Sequence, residues 1–465
     1  MGIDWQLQNR RWDLVPLTQS KGSPSAEDEI LRAHLIKGAA GSFLLQVGFA
    51  GFSFLNAILL ARLLGAGGYG AFANAMSWVS LLTIHATFGF GILLVRDVAI
   101  YRSQEKWGRL KGLLRFSDGF VLVLSVLLAL VAATAAVFVF SPPAQATMRH
   151  TIWIALLLLP LFALYNLREA TTRGLEYVIR ARLPGMLIRP GLLLCGIAAI
   201  YFLWPNRLSA PAAMAVNVGA GVVTLGLGGF FLRKLLPAQA SVAKAEYTPG
   251  PWLKAAFPML VYGGAQVVLG QTDIVILGAM RGSHEVGLYA AASRLAYLLV
   301  YVIYASEVIL APIMSRFYAN GDRDRLQSIM TRSVYISFFA VLPFGLVLMV
   351  WGVYVLKLFG NVFIAAKLAL MILAAGHLVE VGLGSGALLL GMVGAEGVVA
   401  IAFLVISLAN IALNFILIPR YGLDGAALSS MVSLIVAKLF FSIYAMKKTK
   451  LYTAIVGVAL IKKAV

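Results

Sequence analysis

Long apolar segments, separated by short connections, constrain this chain more than any other feature of its sequence. Twelve of them, each about 20 residues long or longer, recur between residues 38 and 446, and a helix needs roughly 20 apolar residues to cross a hydrocarbon layer. The chain is 61% hydrophobic and 12% charged, with a mean hydropathy of +0.89. A soluble domain of 465 residues has no core large enough to bury that much apolar surface. We therefore predict a polytopic membrane protein.

The segments are continuous apolar runs without the alternation of period two that membrane barrel strands require. This pattern predicts an all-α fold of about twelve transmembrane helices. The predicted spans are residues 38–61, 71–95, 117–140, 150–170, 184–204, 209–232, 255–280, 288–313, 333–356, 366–391, 397–418 and 425–446.

The basic residues alternate between the two sides of these spans. Of 38 lysines and arginines, 29 fall in the termini and in every second connection, and 7 fall in the remaining connections. The positive-inside rule then places both termini in the cytoplasm. The net charge of +19 follows from this distribution, so we predict no nucleic-acid partner.

Five regions follow from these patterns: a polar cytoplasmic leader, two six-helix lobes, a polar linker between them, and a basic cytoplasmic tail. The leader has no apolar core typical of a cleavable signal peptide, and the tail is too short to span a membrane but suited to lie along its inner leaflet. The predicted boundaries are 1–36, 37–233, 234–253, 254–446 and 447–465.

Two glycine-rich stretches, LGAGGYGAFANA (64–75) and RGSHEVGLYAAA (281–292), mark an internal repeat. At a shift of 217 residues Gly65 aligns with Gly282 and Gly70 with Gly287. Six helices separate the copies, so both halves enter the membrane with the same orientation, as parallel transporter repeats do. The sequence thus predicts two pseudo-symmetric lobes around a central cavity.

The main alternative is an integral-membrane glycosyltransferase or polymerase. Such enzymes usually carry a large extramembrane loop with acidic residues or a metal site, whereas the connections here are short. The sequence contains no HExxH and no GxxxxGK[ST] motif, the signatures of a zinc protease and of a phosphate-binding loop. We predict that the protein is not an enzyme and holds no metal or cofactor.

Two stretches carry a family resemblance. ARLLGAGGYGAFANAMS (61–77) resembles the connection of the first two helices in Wzx-type polysaccharide flippases, and IPRYGLDGAALSSMVS (418–433) resembles the turn between their last two. These flippases belong to the multidrug/oligosaccharidyl-lipid/polysaccharide exporter superfamily, whose members have two six-helix lobes around a central cavity.

The resemblance implies that an undecaprenyl-diphosphate-linked oligosaccharide is moved by alternating access from the inner to the outer leaflet of a bacterial cytoplasmic membrane. Besides this lipid-linked substrate, it implies membrane lipids and polysaccharide-assembly proteins such as a polymerase as partners. Two alternatives within the superfamily stay open: a lipid II flippase and a cation-coupled multidrug antiporter. The antiporter is disfavoured because the first span contains no acidic residue.

Polar side chains within spans are expensive to insert and are therefore candidate site residues. We expect those of the first and seventh spans to line one cavity, because they occupy matching positions on one helical face. Arg294 and three tyrosines lie on one side of the eighth span, where an arginine suits a phosphate and phenol rings suit sugars. The predicted substrate-binding residues are Gln46, Ser53, Asn56, Gln266, Asp273, Arg294, Tyr297, Tyr301 and Tyr304.

Basic residues near the predicted cytoplasmic end complete this set. Lys37 and Lys254 are expected to attract the diphosphate at the mouth, and Arg168 or Arg189 to hold it within, although Arg168 with Glu169 also suits a structural pair. A histidine beside a carboxylate suits a proton site, but Glu380 could equally pair with Lys438. The candidates for coupling to a proton or sodium gradient are Asp273, Glu307, His377 and Glu380.

Overall fold

The protein is described by a computed structural model covering residues 26–141, 146–204 and 208–455. Within these ranges side chains are described from residue 41 onward, except those of residues 43, 305, 308, 309 and 312. Within these ranges the regular structure is entirely helical. The helices are α1 Ala26–Ala86, α2 Phe90–Ser103, α3 Trp107–Val139, α4 Ala146–Leu156, α5 Leu158–Gly174, α6 Val178–Leu183, α7 Arg189–Leu203, α8 Ala210–Leu235, α9 Ala238–Val242, α10 Pro249–Arg281, α11 Ser283–Ala296, α12 Tyr301–Ala319, α13 Arg323–Leu356, α14 Lys367–Leu383, α15 Gly386–Met392 and α16 Glu396–Thr449.

Ten stretches of the described residues are long and apolar enough to cross a membrane. Two of them, Leu44–Ala86 and Glu396–Thr449, are of double length and contain a glycine kink, at Gly65 and Gly422 respectively. Each kink divides its helix into two membrane-length halves. The predicted all-α fold with about twelve spans in two lobes is therefore confirmed.

Several predicted boundaries differ from the structure. The helix of the first span begins at Ala26, because the residues before the apolar run are also good helix formers. The connection expected at residues 62–70 is reduced to the kink at Gly65. The eighth span is divided between α11 and α12 by a 3₁₀ turn at Tyr297–Leu299, and a π-helical turn at Pro184–Ile188 precedes Pro190 in the fifth.

The two ends of the molecule differ in how the lobes meet. We call the end with the kinks at Gly65 and Gly282 the turn face, and the end with the linker 236–248 the linker face. Near the turn face, one apolar core contains buried residues of both lobes, such as Phe72 and Tyr289. Toward the linker face, the core divides into one cluster centred on the first lobe and another confined to the second. The lobes thus share one core at the turn face. Toward the linker face their cores are separate, and the start of α10 connects them by packing Ala256 on Gly89.

The internal repeat is visible in the backbone of the turn face. Gly65 has φ 67° and ψ 179°, and its counterpart Gly282 has φ 83° and ψ −179°, a conformation open almost only to glycine. A Cβ atom on Gly70 would overlap the carbonyl oxygen of Ser283, and one on Gly287 would overlap that of Ala66. These reciprocal contacts close the turn face by direct backbone packing between the lobes.

The linker is fixed to the first lobe. Lys111 of α3 donates hydrogen bonds to the carbonyls of Ser241 and Ala243, and the amide of Glu246 donates to the Gly108 carbonyl. The segment after α16 is fixed similarly, because the side-chain amide of Gln327 in α13 exchanges two hydrogen bonds with the backbone of Tyr452. Composition predicted a linker and a tail but not these attachments. The tail beyond residue 455 and the leader before residue 26 lie outside the described residues.

Candidate functional site

The exposed polar side chains of α11 and α12, together with the separate cores of the two lobes, indicate a space between the lobes toward the linker face. Arg294, near the end of α11, is exposed and interacts electrostatically with Tyr69, a buried residue of the first lobe. It therefore lies where the two lobes meet, at the closed end of the space. An arginine has five N–H donors in a planar fork suited to two phosphate oxygens.

Three tyrosines extend this wall toward the linker face. Tyr297 and Tyr304 are 41% and 40% exposed, and their hydroxyl oxygens are 3.0 Å apart. The ring of Tyr301 stands edge-on to that of Tyr297, with centroids 6.0 Å apart. The 3₁₀ turn at Tyr297–Leu299 interrupts the predicted helix, yet the three rings still form one cluster. Adjacent phenol faces and hydroxyls of this kind suit a sugar ring.

Other predicted residues are also accessible. Gln266 of α10 is exposed and interacts with Tyr262. Glu307 of α12 interacts electrostatically with both Tyr262 and Tyr304. In the first lobe, Gln46 and Ser53 are partly exposed on α1.

Asn56 and Asp273 do not line the open space as expected. Asn56 is 5% exposed, and its amide donates to the carbonyls of Phe52 and Pro190, the latter at 2.9 Å. It therefore joins α1 to α7. Asp273 is 6% exposed and accepts hydrogen bonds from the hydroxyls of Tyr289 and Ser430. The sequence showed the shared face correctly but not which neighbouring helices cover part of it.

The basic residues predicted to hold a headgroup in the first lobe have protein partners. Arg168 contacts both carboxylate oxygens of Asp118 in α3, at 2.7 and 2.6 Å, rather than pairing with Glu169. The guanidinium of Arg189 lies 4.5 Å from the ring centroid of Phe162. Asp118 was not recognised because only the packing of α3 on α5 brings it to Arg168. Arg168 is therefore neutralised by Asp118 in this conformation, whereas the described contact of Arg189 is with a ring and not with an anion.

Of the two lysines predicted at the mouth, the structure describes the side chain of Lys254 only. Lys254 is exposed near the start of α10, at the linker face. The backbone of Lys37 is part of α1, but its side chain lies outside the described residues.

A buried ionic cluster lies behind the tyrosine wall. Glu380 of α14 contacts Lys438 of α16 at 3.1 Å and His377 at 2.9 Å, so both pairings considered from the sequence are present. The ring of Tyr297 stands perpendicular to that of His377, with centroids 5.9 Å apart. The cluster joins two helices of the second lobe and contacts the site wall through Tyr297.

Removing one member of this cluster should destabilise the second lobe. Replacing Lys438 by methionine leaves Glu380 buried without its cation, and breaking a buried pair in this way costs about 3–5 kcal/mol. We expect a clearly lower thermal unfolding temperature in detergent for Lys438→Met, and partial recovery when Glu380→Leu is added. Lys448→Met, an exposed position on the same helix, is the matched control. Equal unfolding temperatures for the two lysine variants would contradict the assignment.

Sequence reasoning missed two contacts between the lobes. Tyr69 contacts Arg294, and the side-chain amide of Asn74 donates to the Ile274 carbonyl at 2.8 Å. A fully buried asparagine in an apolar helix is a recognisable signal for an interhelical hydrogen bond. Its partner could not be inferred, because it is a backbone carbonyl in the other lobe.

Comparison with known proteins identifies the family. The model described as "Polysaccharide biosynthesis protein" matches residues 35–318. The chain belongs to this family. A second model, MatE, matches residues 258–419, and together with the structural likenesses these matches show a transporter or flippase of the MOP superfamily that passes the membrane several times.

Two curated relatives are archaeal. An uncharacterized membrane protein of Methanocaldococcus jannaschii is 21% identical over 428 residues, which are 87% of this chain and 82% of the relative. A probable low-salt glycan biosynthesis flippase of Haloferax volcanii, Agl15, is 26% identical over 165 residues, covering 35% of this chain and 34% of that protein. The second likeness is thus confined to about a third of each chain.

Solved structures share the fold. An inward-facing multidrug resistance MATE family transporter of the MOP superfamily superposes with a TM-score of 0.72 at 14% identity, covering 87% of this chain and 98% of that one. The lipid II flippase MurJ in an inward closed conformation gives 0.66 at 14% identity, covering 89% and 88%. By their descriptions, these two structures are a transporter and a flippase.

Proposed function

We propose that this protein is a flippase that moves a diphosphate-linked oligosaccharide, carried on an undecaprenyl-type lipid, across the cytoplasmic membrane for assembly of a surface polysaccharide. The observation that carries the proposal is the wall formed by Arg294 and Tyr297, Tyr301 and Tyr304. It combines one cation at the closed end of the interlobe space with phenol rings leading toward the open end. A diphosphate at the arginine and sugars along the tyrosines match this order of groups.

The contacts between the lobes support alternating access. The turn face is closed by the reciprocal packing of Gly70 and Gly287. Near the linker face the cores of the lobes are separate apart from the contact of α10 with Gly89, and we infer that the headgroup enters at this end. We assign the linker face to the cytoplasm because it carries most of the basic residues. The headgroup then enters from the cytoplasm while the prenyl tail stays in lipid between the lobes. Membrane lipids and other polysaccharide-assembly proteins, including a polymerase, are the proposed partners.

Coupling to a proton or sodium gradient is part of the proposal. Glu380 is already neutralised by Lys438 and is held in a structural cluster with His377. Among the described residues, Asp273 interacts with hydroxyl and backbone N–H groups and not with a cation. Asp273 is therefore favoured over Glu380 and His377 as the group that exchanges a proton or sodium ion, and Glu307 stays a second candidate.

Reconstitution tests the function directly. The purified protein is placed in liposomes with a fluorescent undecaprenyl-diphosphate oligosaccharide, and a membrane-impermeant glycosidase measures the fraction of lipid on the outside. We expect the protected fraction to fall with time without change in the mass of the lipid. Liposomes with heat-denatured protein serve as the control, and imposed proton or sodium gradients test the coupling.

The same assay distinguishes the alternatives. Movement of lipid II at equal or greater rate would favour a peptidoglycan role, because Arg294 suits a diphosphate in either substrate. Uptake of a cationic drug without lipid movement would favour an antiporter, in line with the MatE match over residues 258–419. A new glycosidic linkage in the recovered lipid would instead favour a glycosyltransferase or polymerase.

A further inference from the structure

A second cationic cavity lies on the turn face, away from Arg294. Its volume is about 530 Å³, and its lining comes from the end of the first half of α1 and from the connection between α13 and α14. Both lobes therefore form it. Its polar lining residues are Arg62, Lys357 and Asn361.

The charge of this cavity is uniformly positive. Arg62 and Lys357 are exposed, they come from opposite lobes, and no aspartate or glutamate is among the lining residues. Asn361 adds an exposed side-chain amide. Two cations brought together with no carboxylate repel one another unless an anion lies between them. The Lys357 ammonium also lies 5.5 Å from the centroid of the Tyr354 ring, and an anion between the two cations would reduce their repulsion.

Arg62 is held with part of its donor capacity unused. Its Nε donates to the Leu358 carbonyl at 2.6 Å, and Nη2 is 3.5 Å from the Lys357 carbonyl. These contacts cross between the lobes and fix the guanidinium in the cavity. Of its five N–H donors, about three therefore have no protein acceptor among the described residues. A fixed guanidinium with spare donors suits a phosphate better than a mobile surface arginine does.

The height of the cavity in the membrane indicates the source of the anion. Arg62 directly follows the apolar first half of the Leu44–Ala86 span, which places it at the level of the lipid headgroups. We propose that this cavity binds a phosphate or diphosphate group at the turn face and that the bound anion stabilises the closed turn face. Because its two cations move apart when the lobes separate, the anion binds the closed state better and shifts the population toward it. This inference does not depend on which headgroup the central site carries.

The test measures thermal unfolding of the full chain with inorganic pyrophosphate in detergent, against sodium chloride of equal ionic strength. A second arm uses nanodiscs of phosphatidylglycerol and of phosphatidylcholine. We expect a saturable rise in unfolding temperature with pyrophosphate or with phosphatidylglycerol. The rise should be lost in Arg62→Gln and Lys357→Gln. Lys367→Gln is the matched control, because Lys367 is exposed nearby but does not line the cavity.

The two arms separate the sources of the phosphate group. A rise in both arms means that the group alone is sufficient, and a rise with phosphatidylglycerol only means that the lipid is required. Arg62→Gln also removes a contact between the lobes, so this variant could fail to fold. In that case Lys357→Gln alone tests the proposal. Lys357→Arg keeps the charge and should retain the rise in unfolding temperature. No rise in either arm, or equal rises in Lys357→Gln and Lys367→Gln, would overturn the proposal.

Discussion

Replacing Arg294 by alanine is expected to reduce lipid-linked oligosaccharide flipping by about 10- to 100-fold. A hydrogen bond to a charged group contributes about 1.5–3 kcal/mol, and every 1.4 kcal/mol is about tenfold in affinity. The loss should be large because Arg294 is the cation at the closed end of the interlobe space. Arg294→Lys should retain part of the activity, since it keeps the charge but loses the planar fork. The effect is measured in liposomes as the rate at which the lipid becomes accessible to the external glycosidase.

Two further variants separate substrate binding from contact between the lobes. Tyr69→Phe removes the hydroxyl that interacts with Arg294 while leaving the cation in place, so its effect should be much smaller. Arg316→Gln changes an exposed arginine near the end of α12 and should leave flipping unchanged. If Tyr69→Phe lowered flipping as much as Arg294→Ala, Arg294 would be a gate residue rather than a phosphate ligand. A folded Arg294→Ala variant with full flipping activity would contradict the proposal that Arg294 binds the diphosphate.

The sequence predicted the helical fold because each membrane-spanning helix must itself be a long apolar segment. Long apolar runs and alternating basic connections are local features that each segment carries by itself. The repeat was also readable, since Gly65 and Gly282 need the same unusual backbone conformation. Helix ends were less predictable, because a helix can continue through polar residues beyond the bilayer, as α1 does from Ala26.

The site was only partly predictable because it depends on which helices become neighbours. Period and spacing placed Arg294 and the tyrosines on one side of a span, and they remain together across the 3₁₀ turn. The same reasoning placed Asn56 on an open face, whereas the carbonyl of Pro190 covers it. A helical face is a property of one segment, while exposure of that face depends on the packing of the others. Arg168 shows the same limit, since its partner Asp118 lies 50 residues away.

Adding a methyl group at Gly287 should separate the lobes at the turn face and impair transport. The new Cβ would overlap the Ala66 carbonyl oxygen, which is backbone and cannot turn away, so the helices must move apart by roughly 1 Å or more to restore ordinary contact. Overpacking of this kind costs about 1–3 kcal/mol, which corresponds to a population shift of about 5- to 150-fold away from the closed turn face. Gly70→Ala should act in the same way, because its contact with Ser283 is the repeat-related copy.

Distance measurement across the turn face checks this prediction. Spin labels at Ser141→Cys and Tyr421→Cys, both exposed, report the separation once Cys195 is replaced by alanine. We expect longer mean distances and slower flipping in Gly287→Ala and Gly70→Ala. Gly229→Ala is the control, since a Cβ there has nothing within 4 Å.

The two readouts together distinguish a gate from a simple packing contact. An alternating-access transporter must pass through the state with a closed turn face in every cycle, so a variant that disfavours this state has to lose rate as well as change distance. An increased distance with unchanged flipping would mean that turn-face closure is not required for transport. Unchanged distances in both glycine variants would mean that the reciprocal backbone contact does not hold the lobes together.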